Sequence, residues 1–416
     1  MKKFFVLLLV LCLAFAGVVT YISYSPMPIA DEAVLDAAPA YEGETLGETE
    51  TEAAPAEDEA AAEPAAPSYK GLDYEKILAL HNEEDVVATV GGEDISWREY
   101  YYWLFIQANQ IDGYFAQMAA YYGLQPDWNE MATEDMNFAQ LTVQNAEYML
   151  RQVRAIASFA QENGVELTDE DKAGIAAQLE SDMTAMLGEG ADEAAFNEYL
   201  LQAHLDRDIY DRLNRAEYLM TRSFAQLYGN QGELVDEADA VAYLEDNSYI
   251  NANHILYMSI DPATGEALDD AAKAEKLEKA QALAAELAAI EDSAELVERF
   301  NSIKAEVCED SGKVQFPEGY TFTTGTMVPE FEAACLALED YKVSDVVETS
   351  YGYHVIIRLP LQADSMVLST DGQASTGRLL FANNDFTAAM NAKVDEFAVE
   401  YAEGFEPVDL ADYVIK

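Results

Sequence analysis

The stretch ETSYGYHVIIRLP, Glu348 to Pro360, decides the fold. Val355, Ile356, Ile357 and Leu359 are apolar, and Gly352 and Pro360 punctuate the run, so it reads as a buried strand. His354 sits inside it, although the chain has only four histidines. A ring buried in a strand needs partners for its nitrogens. A second strand pattern, INANHILYMSI from Ile250 to Ile260, carries His254 in the same setting, a histidine followed by two aliphatic residues. Two readings are open: the two imidazoles lie side by side in one sheet, or each is a core histidine satisfied on its own.

Between these strands the pattern is helical. After a turn at Pro262 and Gly265, a helix is expected over 269–290 and a second over 294–307. A loop with Pro317 and Gly319 follows, and YTFTTGTMVPEFEAACLAL ends in a short helix. The order is therefore β-α-α-loop-α-β. Upstream, VVATVGGEDISW reads as a strand, a Gly91-Gly92 turn and a second strand, with Ser96 and Glu99 at the spacing of a capping box. From there to Tyr228 apolar stripes recur at helical spacing: Tyr100, Trp103, Leu104 and Ile106, then Met149, Val153, Ile156 and Phe159. His204, four residues after Leu200, and His81 read as ordinary packing histidines. The tyrosines Tyr100, Tyr101, Tyr102, Tyr121 and Tyr122 read either as helix packing or as a surface for extended apolar peptides.

The 416 residues are enough for two or three domains, and 50% hydrophobic content is enough for real cores. Against 23 basic residues stand 78 acidic ones, a net charge of −55. Nucleic acid and anionic membrane surfaces need basic patches and are excluded as partners on that ground. The charge suits basic or unfolded clients, and equally an acidic proteome in the source organism. Lys2 and Lys3 precede an apolar run from Phe4 to Ile22, the pattern of an export signal. The run comes close to the ~20 residues that span a bilayer, so residues 1–29 are either a cleaved signal peptide or a membrane anchor. Cys12 follows Leu11, which is not the small residue of a lipidation site. Residues 30–70 are rich in Ala, Pro, Glu and Thr, with no basic residue from Asp31 to Ser68, and read as an acidic disordered linker.

Four segments together, NANHILY, CEDSG, GTMVPEFEAACLAL and VSDVVETSYGYHVIIRLP, resemble a parvulin-type peptidyl-prolyl isomerase domain. The resemblance covers Tyr249 to Leu361. The layout around it resembles exported bacterial foldases of the PrsA and SurA kind, and VVATVGGEDISWREYYYWL resembles the start of their chaperone region. The resemblance implies an α+β fold. A helical chaperone-like domain is built from N- and C-terminal segments, 71–245 and 363–416. Inserted in it is a parvulin domain, 246–362, with a four-stranded sheet surrounded by helices.

By motif, the resemblance makes His254 and His354 the paired histidines of the site. Asp310 falls where the family has Cys or Asp, and Thr349 belongs to the same hydrogen-bond network. Met327 and Phe331 match the apolar residues that hold the substrate proline ring. Many parvulins have a GGDLG loop where this chain has FPEGYTFTTG. Gly319 and Tyr320 replace its Leu-Gly part, and Phe322 is the candidate for the missing apolar wall.

The chemistry suits these residue types. Rotation about an X-Pro bond must break amide resonance, a barrier of ~18–20 kcal/mol, but no bond is made or cut. A catalyst has only to hold the ring, strip water from the amide and favour its twisted form. Neither metal nor cofactor is expected: three Cys without C-x-x-C spacing and scattered His make no zinc pattern. Cys308 and Cys335 are either an exported disulfide or free buried thiols. After the isomerase segment, Phe386, Met390, Val394, Phe397 and Tyr401 mark a helix over 384–401, expected to pack on the 97–228 region.

The leading expectation is an extracytoplasmic foldase that isomerises X-Pro bonds in unfolded or newly exported proline-containing polypeptides, with chaperone activity. It meets the membrane only through its N-terminal segment. The alternatives are a non-enzymatic holdase with a silent parvulin domain and a surface or secretion adaptor.

Overall fold

The computed structural model describes residues 69–368 and 374–415. The expected signal or anchor, Cys12 and the acidic linker up to Ser68 lie outside the described residues. Among the described residues no helix is long and apolar enough to cross a membrane. The fold is mixed α and β and divides into two compact units, one running to Arg222 and resuming at Met390, the other Ser223–Ala389.

The first unit opens with a short helix, α1 (Tyr74–Leu78), and the hairpin β1 (Val86–Val90) and β2 (Glu93–Ser96). Helices α2 (Trp97–Tyr122), α3 (Phe138–Glu162), α4 (Asp169–Leu187), α5 (Glu193–Gln202) and the start of α6 (Arg207–Tyr228) follow. Ser96 Oγ caps α2 by accepting the Glu99 N–H at 3.3 Å. Only half of the expected capping box forms. The Glu99 side chain turns inward instead, to the buried Arg154 guanidinium, with Arg212 Nη1 at 3.2 Å. Two cations compensate a buried carboxylate far better than one N-cap N–H does. At α4 the box is complete, with Thr168 and Asp171 each accepting the other's backbone N–H.

Trp97, Tyr100, Tyr101 and Tyr102 are wholly buried, whereas Tyr121 and Tyr122 are exposed. The tyrosine cluster at the start of α2 is thus core. His81 stands edge-on to Trp97 at 4.9 Å, and His204 edge-on to Tyr101 at 4.9 Å. His204 lies just beyond α5 with φ +59°, outside the expected helix.

The second unit is built on one sheet. Its strands are β3 (Ile250–Met258), β4 (Tyr320–Phe322), β5 (Val347–Thr349), β6 (Gly352–Leu359), β7 (Met366–Leu368) and β8 (Ala374–Thr376), in spatial order β5-β6-β3-β4-β7-β8. Among the described residues the expected four-stranded sheet therefore has six strands. A hairpin of β7 and β8 continues it past β4, with Val367 paired in parallel to Thr321. Its short strands follow the expected end of the domain and carry no long apolar alternation to reveal them.

Helix α7 (Glu237–Asp246) precedes β3, and α8 (Asp270–Ala288) and α9 (Ser293–Val307) follow it. These two cover one face of the sheet, where Ile255, Tyr257, Val355 and Ile357 pack with Leu283, Leu287, Leu296 and Phe300. On the other face Ile250, Ala252 and Ile356 pack with Phe316, Tyr320, Phe322 and Phe331 beside α10 (Pro329–Ala337). Strands alternate their side chains, so His254 and His354 fall on this second face.

The last helix, α11, runs Gly377–Asp395 rather than 384–401. Phe386 meets the Phe224 ring edge-on at 5.4 Å within the second unit. Val394 is fully buried, and Lys393 Nζ donates to Glu162 at 2.6 Å within the first. Phe397 and Tyr401 are not on the helix. Tyr401 belongs to β9 (Val399–Tyr401), which pairs antiparallel with β1 and makes the hairpin a three-stranded sheet, order β2-β1-β9.

Ending the chain at Glu396 removes β9 and the fully buried Leu410. It should destabilise the first unit by more than the ~2–5 kcal/mol that truncating one buried leucine costs. Thermal melting followed by tryptophan fluorescence checks this. A truncated chain that melts like the full one would show that β9 and its neighbours add nothing.

Candidate active site

Eight register pairs join β3 and β6, from Asn251 opposite Leu359 to Met258 opposite Gly352. His254 faces Ile356, and His354 faces Leu256. The two histidines are therefore diagonal neighbours on one face, a separation that long and aromatic side chains bridge. Their rings lie 5.1 Å apart and tilted by 55°. Both are buried, at 6% and 5% exposed, and the Nδ1 of each has no protein partner.

Each ring is held at Nε2. Thr349 Oγ1 lies 2.9 Å from His354 Nε2, and Thr349 itself accepts the Tyr351 N–H at 3.2 Å. The threonine sits at the end of β5, which pairs with β6. His254 Nε2 stands 3.4 Å from Asp310 Oδ2, at the long end of hydrogen-bond distance. Asp310 follows α9 and caps a short 3₁₀ turn, accepting the Gly312 N–H at 2.9 Å.

Tyr320 completes this side of the site. Its hydroxyl donates to Asp310 Oδ2 at 2.7 Å, and its ring stacks on His254 at 5.7 Å and 14°. A Cβ at Gly312 would collide with the Tyr320 hydroxyl. Gly319, at φ +110°, lets the loop before β4 pass against the backbone of Ala252, where a Cβ would not fit. Sequence reading placed Tyr320 in a departed loop and assigned it no role. The signal was there in part: a phenol replacing a glycine, at the start of a strand that borders the His254 strand, has a buried end that must find a polar partner.

Phe331, on α10, meets both imidazoles edge-on, at 5.3 Å from His254 and 5.5 Å from His354. It is 3% exposed, and Met327 beside it is half-buried. Phe322 is completely buried, 6.1 Å from the Phe331 ring, so it backs Phe331 and does not reach solvent. The site thus brings together His254, His354, Asp310, Thr349 and Phe331, with Phe322 behind them and Met327 at the edge. Cys308 and Cys335 are free, buried thiols and form no disulfide. Cys308 Sγ accepts the Leu256 N–H at 3.4 Å, and burial pushes the Cys335 thiol up to about 12.

The electrostatics separate the two polar ends. The His254 imidazole, the Tyr320 hydroxyl and the Gly312 N–H hold the Asp310 carboxyl well below the usual carboxylate range, against its burial. Burial, then the neighbouring Asp310, pushes the Tyr320 phenol well up. Burial, reinforced by His254, pushes His354 down from its ordinary 6.5 to about 3. His354 is thus a neutral ring at physiological pH, and Asp310 a fixed negative charge.

The shift of His354 sets a pH dependence. Between pH 6.5 and about 3 the unfolded chain protonates this histidine and the folded chain does not. Stability from His354 is therefore full above 6.5 and falls with acidification, by up to roughly 1.4 kcal/mol per pH unit. In urea melts the stability of wild type relative to His354→Gln should fall as pH drops from 7 to 4. A gap that stays constant would contradict the burial assigned to this ring. In Tyr320→Phe the Asp310 carboxylate loses a donor, so its pKa should rise, as a carbon-detected NMR titration would read.

Residues 254–359 match the Rotamase family, described as the PPIC-type PPIASE domain. The chain is 26% identical over 226 residues to a foldase protein PrsA of Oceanobacillus iheyensis, covering 54% of this chain and 63% of that one. It is 28% identical over 145 residues to a foldase protein PrsA of Halalkalibacterium halodurans, covering 34% and 37%. The chain therefore matches less than two thirds of the length of these relatives. Among solved structures, PrsA from Bacillus subtilis is 18% identical and covers 76% of this chain and 92% of that one, with a TM-score of 0.21. The paired histidines, Asp310 and Phe331 all lie inside the matched span, and it is the segment from His254 to Leu359 of this longer chain that matches the PPIC-type PPIASE domain.

Proposed function

We propose that this chain is an extracytoplasmic foldase that catalyses cis–trans isomerisation of X-Pro bonds in exported, unfolded polypeptides, and that its helical unit holds those clients. The observation that carries the reading is the diagonal His254–His354 pair, pinned at Nε2 by Asp310 and Thr349 and met edge-on by Phe331.

The roles follow from the chemistry. The proline ring settles on Met327 and Phe331, with Phe322 stiffening the wall from behind. Apolar contact there removes water from the amide, which weakens the hydrogen bonding that favours the planar, polar form. In that planar form resonance places negative charge on the carbonyl oxygen. The Asp310 carboxylate disfavours charge on a nearby oxygen, and so favours the twisted amide, whose nitrogen keeps its lone pair. His354, neutral and oriented by Thr349, and His254, held by Asp310 and Tyr320, form the polar floor. No proton leaves the substrate and no covalent intermediate forms. The residues before the unit are proposed to carry export and either cleavage or anchoring, and residues 390–415 to complete the helical unit.

A proline tetrapeptide assay on the full-length protein tests the reading. Wild type should accelerate isomerisation. Phe331→Ala should lower kcat/KM by about tenfold to a hundredfold and cost about 3–5 kcal/mol of stability, because the side chain is almost fully buried. Suppression of aggregation of a proline-free client should survive in that variant at a temperature where it stays folded. A wild-type protein that does not speed isomerisation yet suppresses aggregation would overturn the enzymatic reading and leave a holdase.

A further inference from the structure

Helix α9 places one more charged group next to this site. Lys304 is 3% exposed. Its ammonium donates to Asn253 Oδ1 at 2.7 Å, to the Phe316 carbonyl at 2.9 Å and to the Pro317 carbonyl at 3.1 Å. All three acceptors are neutral. A buried cation is unfavourable unless its donors are used, and here all three are; burial also pushes the Lys304 ammonium down.

The acceptors come from two segments that meet the site from different sides. Asn253 precedes His254, and its Oδ1 also accepts the His254 N–H at 2.8 Å, while its Nδ2 donates to Asn301 at 3.0 Å. Phe316 and Pro317 open the loop that leads to Tyr320. The Phe316 ring lies 4.8 Å from the Tyr320 ring, and the Gly319 N–H returns to the Phe316 carbonyl at 3.2 Å.

We infer that Lys304 is a positioning residue for the isomerase site, tying the Phe316–Pro317 loop to Asn253 and so fixing where Tyr320 meets Asp310 and His254. The inference rests on the isomerase reading above. The tetrahedral ammonium head suits the task, because its three N–H bonds diverge toward acceptors on separate segments. An apolar side chain of similar length would leave the Pro317 carbonyl without its lysine donor and the Phe316 carbonyl with the Gly319 N–H alone. The loop would shift to rehydrate these carbonyls and take Tyr320 with it.

The test uses the full chain as wild type, Lys304→Met, Tyr320→Phe and the double variant. Lys304→Gln, which keeps two N–H donors, stands in if Lys304→Met does not fold. Lys304→Met should lower kcat/KM on a proline tetrapeptide about tenfold, the effect of one misplaced charge-assisted hydrogen bond. In the Tyr320→Phe background the same substitution should cost less than about twofold, because the two residues act on one contact. The ring-proton resonances of His254 should shift in Lys304→Met as Tyr320 leaves its stacked position. Equal fold-losses in both backgrounds, with the His254 resonances in place, would overturn the inference and make Lys304 a core residue only. Wild type without isomerase activity would instead overturn the parent reading, and the His254 resonances alone would then decide this one.

Discussion

Eight residue pairs join β3 to β6, and their register decides which side chains share a face. A slip of one residue would turn His354 to the face covered by α8 and α9, and leave His254 without its neighbour. Both strands are buried on both faces, so the apolar residues Ile255, Tyr257, Val355 and Ile357 specify the register as strongly as the site requires. The polar groups are then attached to the edges of this ladder: Thr349 by the turn into β6, Asp310 by the end of α9, Tyr320 by the strand on the far side of β3. The packing that holds the sheet together and the geometry of the candidate site are one constraint.

Some cations of this acidic chain serve buried groups: Arg154 and Arg212 meet the buried Glu99, and the buried Lys304 serves three neutral acceptors, whereas Lys279 and Arg299 pair with exposed carboxylates. With 78 acidic residues against 23 basic ones, most carboxylates have no cation to pair with and repel one another. That repulsion is screened by salt, whereas the buried pairs are screened far less. The candidate site follows the same separation, with Asp310 kept charged by donors and His354 kept neutral by burial.

Much of this was legible in the sequence, and the gaps have physical causes. The histidine strands could be read because each pairs a rare polar residue with an uninterrupted aliphatic run. Phe331, in the first turn of α10, and Met327, just before that helix, could be assigned by motif because they lie four residues apart in one short segment. Tyr320 could not, since its role depends on the path of a loop shaped by Gly312 and Gly319. Phe322, the candidate for the missing apolar wall, is fully buried behind Phe331, a depth that its place in the loop pattern does not reveal. The β7–β8 hairpin was missed because strands of three residues leave no periodicity. The last helix was set too late because Phe397 and Tyr401 continue its apolar spacing by chance, while the chain has already turned into β9. Glu99 was read as a cap from local spacing, and a partner 55 residues away won it.

The pairing of β9 with β1 has a bearing on how the chain acquires its structure. Val90 meets Val399 across roughly three hundred residues, and the entropy of closing so long a loop must be met before the contact gains anything. The intervening unit, whose sheet forms between strands nearer in sequence, shortens that loop once it is folded. A chain emerging from its N-terminus presents β1, with one edge paired to β2 and the other open, until β9 arrives. During that interval the protein itself has an exposed strand edge of the sort that invites aggregation, and so passes through the condition in which it is proposed to meet its clients.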